Sequence, residues 1–203
     1  VPCYNEEETL PRTLDALANL LDDLKGKGCI HPDSYALYVN DGSRDRTWEL
    51  LEARHTADPH CRAVSFAANA GHQNAVWAGM ITAREWGVDC IISLDADLQD
   101  DIAAIPEMIA SYAQGNDIVY GVRNDRTTDT AFKRRTAHMF YGFMRWLKVP
   151  LIPDHADYRL VARPVLEALD QIHEQSLFLR GLFPALGFKS AQVYYMRQCR
   201  MAG

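Results

Sequence analysis

The sequence predicts an α/β fold with a mostly parallel central sheet and helices on both of its faces. Three observations carry that expectation. Short apolar runs alternate with segments whose leucines recur at helical spacing. A polar turn follows each apolar run, as Asn40-Asp41-Gly42-Ser43 follows Val39 and Asp95-Ala96-Asp97 follows Leu94. Finally, 203 residues with 48% hydrophobic and 10% aromatic content can build a real core, which excludes a wholly disordered chain. Repeated strand–helix units imply right-handed crossovers and a parallel sheet. Ligands in such sheets bind beyond the carboxyl ends of the strands, so the turns after Val1, Val39, Phe66 and Leu94 are expected to share one edge.

The elements follow in order. Val1-Pro2 reads as the last step of a strand whose body lies upstream. Leu10, Leu14, Leu17, Leu21 and Leu24 fall at helical spacing, with Thr9 as cap, Pro11 in the first turn and Gly26 and Gly28 at the end. Strands are expected over 35–39, 61–66, 90–94 and 117–120, and helices over 47–55, 73–86 and 105–114. Pro106 is tolerated in the first turn of the last of these. After Gly121 the pattern changes. Helices are expected over 132–147, 165–172 and 177–186, and a late strand over 191–196. The ends, at Val1 and at Met201-Ala202-Gly203, read as cuts in a longer chain.

Charge narrows the function. The net charge is −6, so the molecule is not a generic nucleic-acid binder. Yet seven Lys/Arg and only two Asp/Glu lie between Arg123 and Lys148, a local net of +5. A basic island on an acidic protein points to a local anionic partner or to a solvated helix face. The five cysteines are scattered, with no CxxC pair, which fits neither a zinc site nor a disulfide framework. No apolar run is long enough to span a bilayer.

Asp95-Ala96-Asp97 is the central chemical feature. Two carboxylates directly after an apolar strand suit a hard divalent cation, Mg²⁺ or Mn²⁺, shared with substrate phosphates. Such an ion neutralises a departing diphosphate. Asp41 sits in an equivalent turn, where a carboxylate can accept hydrogen bonds from a nucleobase or ribose or simply shape the turn. In Pro2-Cys3-Tyr4-Asn5-Glu6-Glu7, Tyr4 can stack on a base and Glu6 can bind ribose; the same acids also suit a helix N-terminus.

Taken together, Val1-Pro-Cys-Tyr-Asn-Glu-Glu7, Val39-Asn-Asp-Gly-Ser-Arg-Asp-Arg-Thr47, Asn69-Ala-Gly-His-Gln73 and Leu94-Asp-Ala-Asp-Leu-Gln-Asp100 resemble the family 2 glycosyltransferases of the GT-A fold. Later segments narrow the resemblance to the polyprenyl-phosphate glycosyltransferases, which include bactoprenol glucosyltransferases and dolichyl-phosphate mannose synthases. These segments are Asp117-Ile-Val-Tyr-Gly-Val-Arg123, Phe132-Lys-Arg134, Asp154-His-Ala-Asp157-Tyr-Arg-Leu160, Phe178-Leu-Arg-Gly181 and Arg197-Gln-Cys-Arg-Met-Ala-Gly203. The resemblance implies one catalytic domain over 1–203, with a nucleotide-sugar half (1–121) and an acceptor half (122–203).

It also implies roles. Pro2, Tyr4, Glu6 and Asp41 would hold the nucleoside. Asp95 and Ala96 would lie beside ribose and diphosphate, and Asp97 with Gln99 would bind Mg²⁺ or Mn²⁺. Arg123, Arg134 and Arg180 would receive the acceptor phosphate, and Arg200 would reach the diphosphate or the sugar. Asp157, or else Asp154, is the catalytic candidate near the acceptor. The implied reaction moves a hexose, with inversion, from a nucleotide sugar (UDP-glucose in the bactoprenol branch) to a polyprenyl phosphate. It would take place on the cytosolic face of a membrane, the inner membrane in a bacterium. The fragment itself is expected to be soluble and to bind the membrane surface but no nucleic acid; a homo-oligomer is compatible with this reading.

There are departures and alternatives. Ala68 stands where many relatives have Arg, and Asp101-Ile102 where they have Pro. The Gly-x-[Ser/Thr]-Lys stretch expected after Gly203 is absent. A processive polysaccharide synthase would need Gln-x-x-Arg-Trp, but Gly142 precedes Arg145-Trp146 at the Gln place. A sugar nucleotidyltransferase would need a Gly-rich loop where Tyr4-Asn5-Glu6 stands. A GDP-mannose donor, a non-lipid acceptor and a non-catalytic nucleotide-sugar binding module remain the competing readings.

Overall fold

A computed structural model describes residues 1–124, 155–169 and 179–196. The chain opens with β1 (Pro2–Cys3), α1 (Leu10–Gly26), β2 (Ala36–Asn40), α2 (Thr47–Ala57) and β3 (Cys61–Ser65). It continues with α3 (His72–Glu85), β4 (Cys90–Ser93), a 3₁₀ turn (Ile102–Ala104), α4 (Ile105–Ala113) and β5 (Ile118–Arg123). After the basic segment come β6 (His155–Ala162), α5 (Arg163–Leu169), α6 (Leu179–Ala185) and β7 (Ser190–Tyr195). The helix expected over 132–147 lies outside the described residues.

The strands form two sheets. One is parallel, in the order β1-β2-β3; the other runs β4-β6-β5-β7. In the second, β6 is antiparallel to both β4 and β5, while β5 and β7 are parallel. The parallel βα reading therefore holds for β1 to β3. The strand over His155–Ala162, which the sequence pattern did not disclose, makes the second sheet mixed. Its charged residues mask the apolar periodicity that marks the other strands.

Local chemistry explains the helices. In α1, Leu10, Leu14, Leu17 and Leu24 are buried, and burying each such side chain is worth about 1.5–3 kcal/mol. Thr9 stands at the N-cap, but its side chain makes no cap hydrogen bond; the hydroxyl donates instead to Glu6 Oε2 at 2.5 Å. One core cluster joins α1, α4 and the strands around them, including Leu10, Leu51, Met108 and Leu160. A second joins α3, α5 and α6 to the other face, with Met80, Val161, Leu166 and Phe183.

β1 is two residues long and pairs only with β2, where the Val1 nitrogen donates to Leu37 O at 2.8 Å. At the seam between the sheets a cavity of about 620 Å³ is lined by apolar side chains such as Leu17, Leu24, Val39, Met80 and Ile92. It contains none of the carboxylates described next. Among the described residues no helix is long and apolar enough to cross a membrane.

Candidate active site

The turns after β1 and β2 are zipped together. Asn5 N–H donates to Ser43 Oγ at 3.0 Å, Arg44 N–H to Asn5 Oδ1 at 2.9 Å, and Glu6 N–H to Thr47 Oγ1 at 2.8 Å. Tyr4 is left exposed on this edge. Asp41, at the end of β2, is buried. Its oxygens accept from Ala70 N–H at 2.7 Å, Gly71 N–H at 3.0 Å and the Asn69 amide at 3.0 Å. Asp41 thus anchors the loop that leads into α3. Gly42 makes this possible: a Cβ there would stand 2.4 Å from the Ala68 carbonyl carbon, and its φ is +65°.

β4 delivers the acidic turn. Ala96 is buried, and its carbonyl accepts from Thr13 Oγ1 at 2.6 Å, which ties the turn to α1. Leu98 adopts a φ of 53°; apart from Asn5 it is the one described non-glycine residue with positive φ. Such conformations cost about 1–3 kcal/mol and persist where the surroundings over-determine them. The turn brings Gln99 N–H to Asp97 Oδ1 at 3.0 Å and the Gln99 amide to Asp97 Oδ2 at 2.6 Å. Gln99, expected as a metal ligand, here fixes the Asp97 carboxylate. Asp95 faces the opening, and burial pushes its carboxyl pKa up. The His72 charge opposes that shift; Asp100, Asp97 and Asp157 reinforce it.

Asp157 comes from β6, which pairs with β4 through Ser93 and Arg159. Ser93 Oγ donates to the Asp157 carbonyl at 2.5 Å and fixes the register there. Because strand side chains alternate, Asp157 and Arg159 share a face. The Asp157 carboxylate is 7% exposed and accepts from the Arg159 guanidinium, from Arg180 at 3.2 Å and from the Gln73 amide at 3.3 Å. Burial alone would raise its pKa. The His72 ring beside it and the Arg159 and Arg180 charges outweigh burial and hold it well below the usual carboxylate range. Arg159 is fully buried, and its guanidinium carbon lies 4.7 Å from the Phe183 ring centre.

His72 stands between the two carboxylates. Its Nε2 lies 3.7 Å from Asp95 Oδ1 and 3.6 Å from Asp157 Oδ2. The Asp157 carboxylate beside it raises its pKa against the opposing effect of burial. Arg123, expected at the acceptor phosphate, donates to Asp100 Oδ1 at 3.1 Å and to Tyr195 Oη at 3.2 Å, locking β5 and β7 to the acidic turn. Tyr195 also donates to Asp100.

The structure therefore brings together Asp95, Asp157 and Arg180, with Asp97 two residues along the same turn as Asp95. Tyr4, Glu6 and Asp41 lie on the neighbouring turns, and Pro2 lies in β1. Arg134, Asp154 and Arg200 lie outside the described residues. His72, Gln73, Arg159 and Asp100 belong to the site although no role was expected of them. The available clue was a charged pair at i and i+2 in a segment otherwise able to form a strand. Among the described residues no three His, Cys, Asp or Glu side chains converge as a metal cage. Asp97 nonetheless offers hard carboxylate oxygens, and Mg²⁺ is usually held by one or two carboxylates with substrate phosphates completing the shell, so the residues fit such an ion.

The acidic turn after β4 thus meets, through His72, a buried carboxylate–arginine cluster. A family model described as glycosyl transferase family 2 matches residues 1–183, and the chain belongs to that family. It is 47% identical over 203 residues to the uncharacterized glycosyltransferase YkoT of Bacillus subtilis (strain 168), covering 100% of this chain and 60% of that protein. It is 35% identical over 204 residues to the prophage bactoprenol glucosyl transferase homolog of Escherichia coli (strain K12), covering 100% of this chain and 64% of the relative. The chain thus spans just over three-fifths of these relatives' length. Among solved structures, the mannosyltransferase PcManGT from Pyrobaculum calidifontis, in complex with GDP-Man and Mn²⁺, matches with a TM-score of 0.59 at 16% identity, covering 98% of this chain and 56% of that one. Glucosyl-3-phosphoglycerate synthase from Mycobacterium tuberculosis matches at 0.57 and 18%, covering 100% and 70%. These likenesses establish the GT-A fold.

Proposed function

We propose that the protein is an inverting hexosyltransferase that moves a sugar, glucose from UDP-glucose first among the candidates, onto a polyprenyl phosphate at the cytosolic membrane face. The observation that carries this reading is the pairing of Asp157 with Arg180 across His72 from Asp95. It sets the Arg180 guanidinium near the acidic turn that carries Asp95. The likeness to bactoprenol glucosyl transferases over the whole chain supports the acceptor class.

In this reading the nucleoside rests on Tyr4, Glu6 and the Asp41 turn, with Pro2 beneath. Asp95 and Ala96 flank ribose and diphosphate, and Arg200 reaches the diphosphate or sugar. Asp97 and Gln99 would hold Mg²⁺ or Mn²⁺. When bound, the ion supplies charge neutralisation for the departing diphosphate. Arg180, Arg134 and Arg123 receive the acceptor phosphate, since a planar guanidinium fork matches phosphate. A phosphate oxygen attacks the anomeric carbon as the bond to the nucleoside diphosphate breaks, and configuration inverts. With a second pKa of about 6 the phosphomonoester is largely dianionic at neutral pH and needs little deprotonation. Asp157, with its depressed pKa, is a poor base; it suits orienting Arg180 and stabilising positive charge at the sugar. The domain reads as a donor half over 1–121 and an acceptor half over 122–203, with the net charge of +5 between Arg123 and Lys148 suited to an anionic lipid.

The test is transfer of labelled hexose from UDP-glucose, GDP-mannose or other nucleotide hexoses to a polyprenyl phosphate by the intact protein with Mn²⁺. Transfer should vanish in EDTA and in Asp97→Asn, which removes one anionic oxygen and keeps side-chain size. Donor-independent silence, or full activity of Asp97→Asn, overturns the reading.

A further inference from the structure

We infer that His72 is a positioning residue: as an imidazolium it bridges Asp95 on the donor edge to Asp157 on the acceptor side and sets their spacing. The inference rests on the transfer reading above for its kinetic consequence, while the bridge itself rests on geometry alone. His72 is the first residue of α3, behind the loop that Asp41 anchors through Ala70 and Gly71. Its position is therefore set by the nucleotide-side turn. From there Nε2 reaches carboxylates on two different strands, at 3.7 and 3.6 Å.

The neighbours of this ring show why a cation is needed. Among the described residues, Asp95 from the β4 end, Asp157 from β6 and Arg180 from α6 act on it. Asp157 has two guanidinium partners besides His72. Asp95, by contrast, has His72 as its one ion-pair partner among the described residues. A neutral ring would leave Asp95 with no cation beside it among the described residues. The next side chain, Gln73, donates to Asp157 as well, so the start of α3 contacts that carboxylate twice. Any shift of the 69–71 loop on nucleotide binding would move both contacts.

Two measurements test this. In the first, the His72 ring is followed by NMR titration in the intact protein without substrates. Its midpoint should lie above the ordinary imidazole value and fall by about half a unit or more in Asp157→Asn and in Asp95→Asn, because each removes an opposite charge nearby. A midpoint at or below the ordinary value, or one indifferent to both substitutions, overturns the bridge. This arm needs no activity, so it stands whether or not the transfer reading survives.

In the second, hexose transfer and nucleotide affinity are measured for His72→Gln and His72→Lys. Gln keeps an N–H donor but not the charge; Lys restores the charge. Turnover should fall about 10- to 100-fold in His72→Gln, the scale of a misplaced reacting group. Nucleotide dissociation constants should stay within about twofold, far less than the tenfold change that 1.4 kcal/mol would bring. His72→Lys should regain part of the loss. Full turnover in His72→Gln, equal loss in both variants, or a parallel collapse of nucleotide affinity overturns the positioning role.

Discussion

At the scale of single residues, Asp157 holds the acceptor side together. It accepts from Arg159 and Arg180 and lies beside His72, and Arg159 has no exposed surface at all. Removing one partner of a buried ion pair leaves an uncompensated charge and costs about 3–5 kcal/mol. Asp157→Ala should therefore unfold at a markedly lower urea midpoint, while Asp157→Asn, which keeps shape and one oxygen, should lose less stability yet most of its transfer activity. Urea melts and the transfer assay on both variants check this. Equal stability of Asp157→Ala and wild type would show that Arg159 finds another partner.

At the scale of elements, two close approaches hold the strands and turns where the site needs them. Gly42 lets the 68–71 loop lie on the β2 turn, and Gly121 lets β5 lie against β6, where a Cβ would stand 2.7 Å from Tyr158 Cδ1 and 3.0 Å from Met108 Cε. The two predict different failures. Gly42→Ala displaces the loop and the N–H groups that Asp41 receives; hydrogen bonds to a charged group are worth about 1.5–3 kcal/mol each. It should weaken nucleotide binding measured by calorimetry. Gly121→Ala overpacks a sheet interface and should cost about 1–3 kcal/mol of stability with nucleotide affinity nearly unchanged in the folded fraction. Reversal of that pattern would misplace the nucleotide edge.

At the scale of the whole molecule, the charge cluster links stability to pH. His72 has a raised folded pKa, so its contribution is fully present below its unfolded value of about 6.5 and is lost as pH rises through the folded value. Asp157 has a depressed folded pKa, so its contribution is present above about 3.9 and is lost as pH falls through the folded value. Melting temperatures across this range should decline on both sides. His72→Gln should flatten the decline above neutrality, and Asp157→Asn the decline in acid. Unaltered slopes in the variants would assign the linkage to other groups.

Much of this molecule was legible in its sequence because the relevant physics is local. Leucine spacing in α1, the apolar runs of β2 to β4 and the polar turns after them depend on neighbours a few residues away. They sufficed to predict the parallel sheet of β1 to β3 and the acidic turns that follow β2 and β4. The second half was less legible. β6 carries Asp157 and Arg159 inside a buried strand, and those charges hide the alternation by which a strand is recognised; only their pairing with each other and with Arg180 makes the burial tolerable. The mixed order β4-β6-β5-β7 likewise depends on pairings between residues some 40 to 70 positions apart, such as Ile118 with Val161 and Ser93 with Arg159. The tertiary structure alone decided that His72 stands between two carboxylates and that Arg123 meets Asp100 and Tyr195. Those partners come from separate strands and helices, and no local periodicity encodes which of them will face one another once the sheets close.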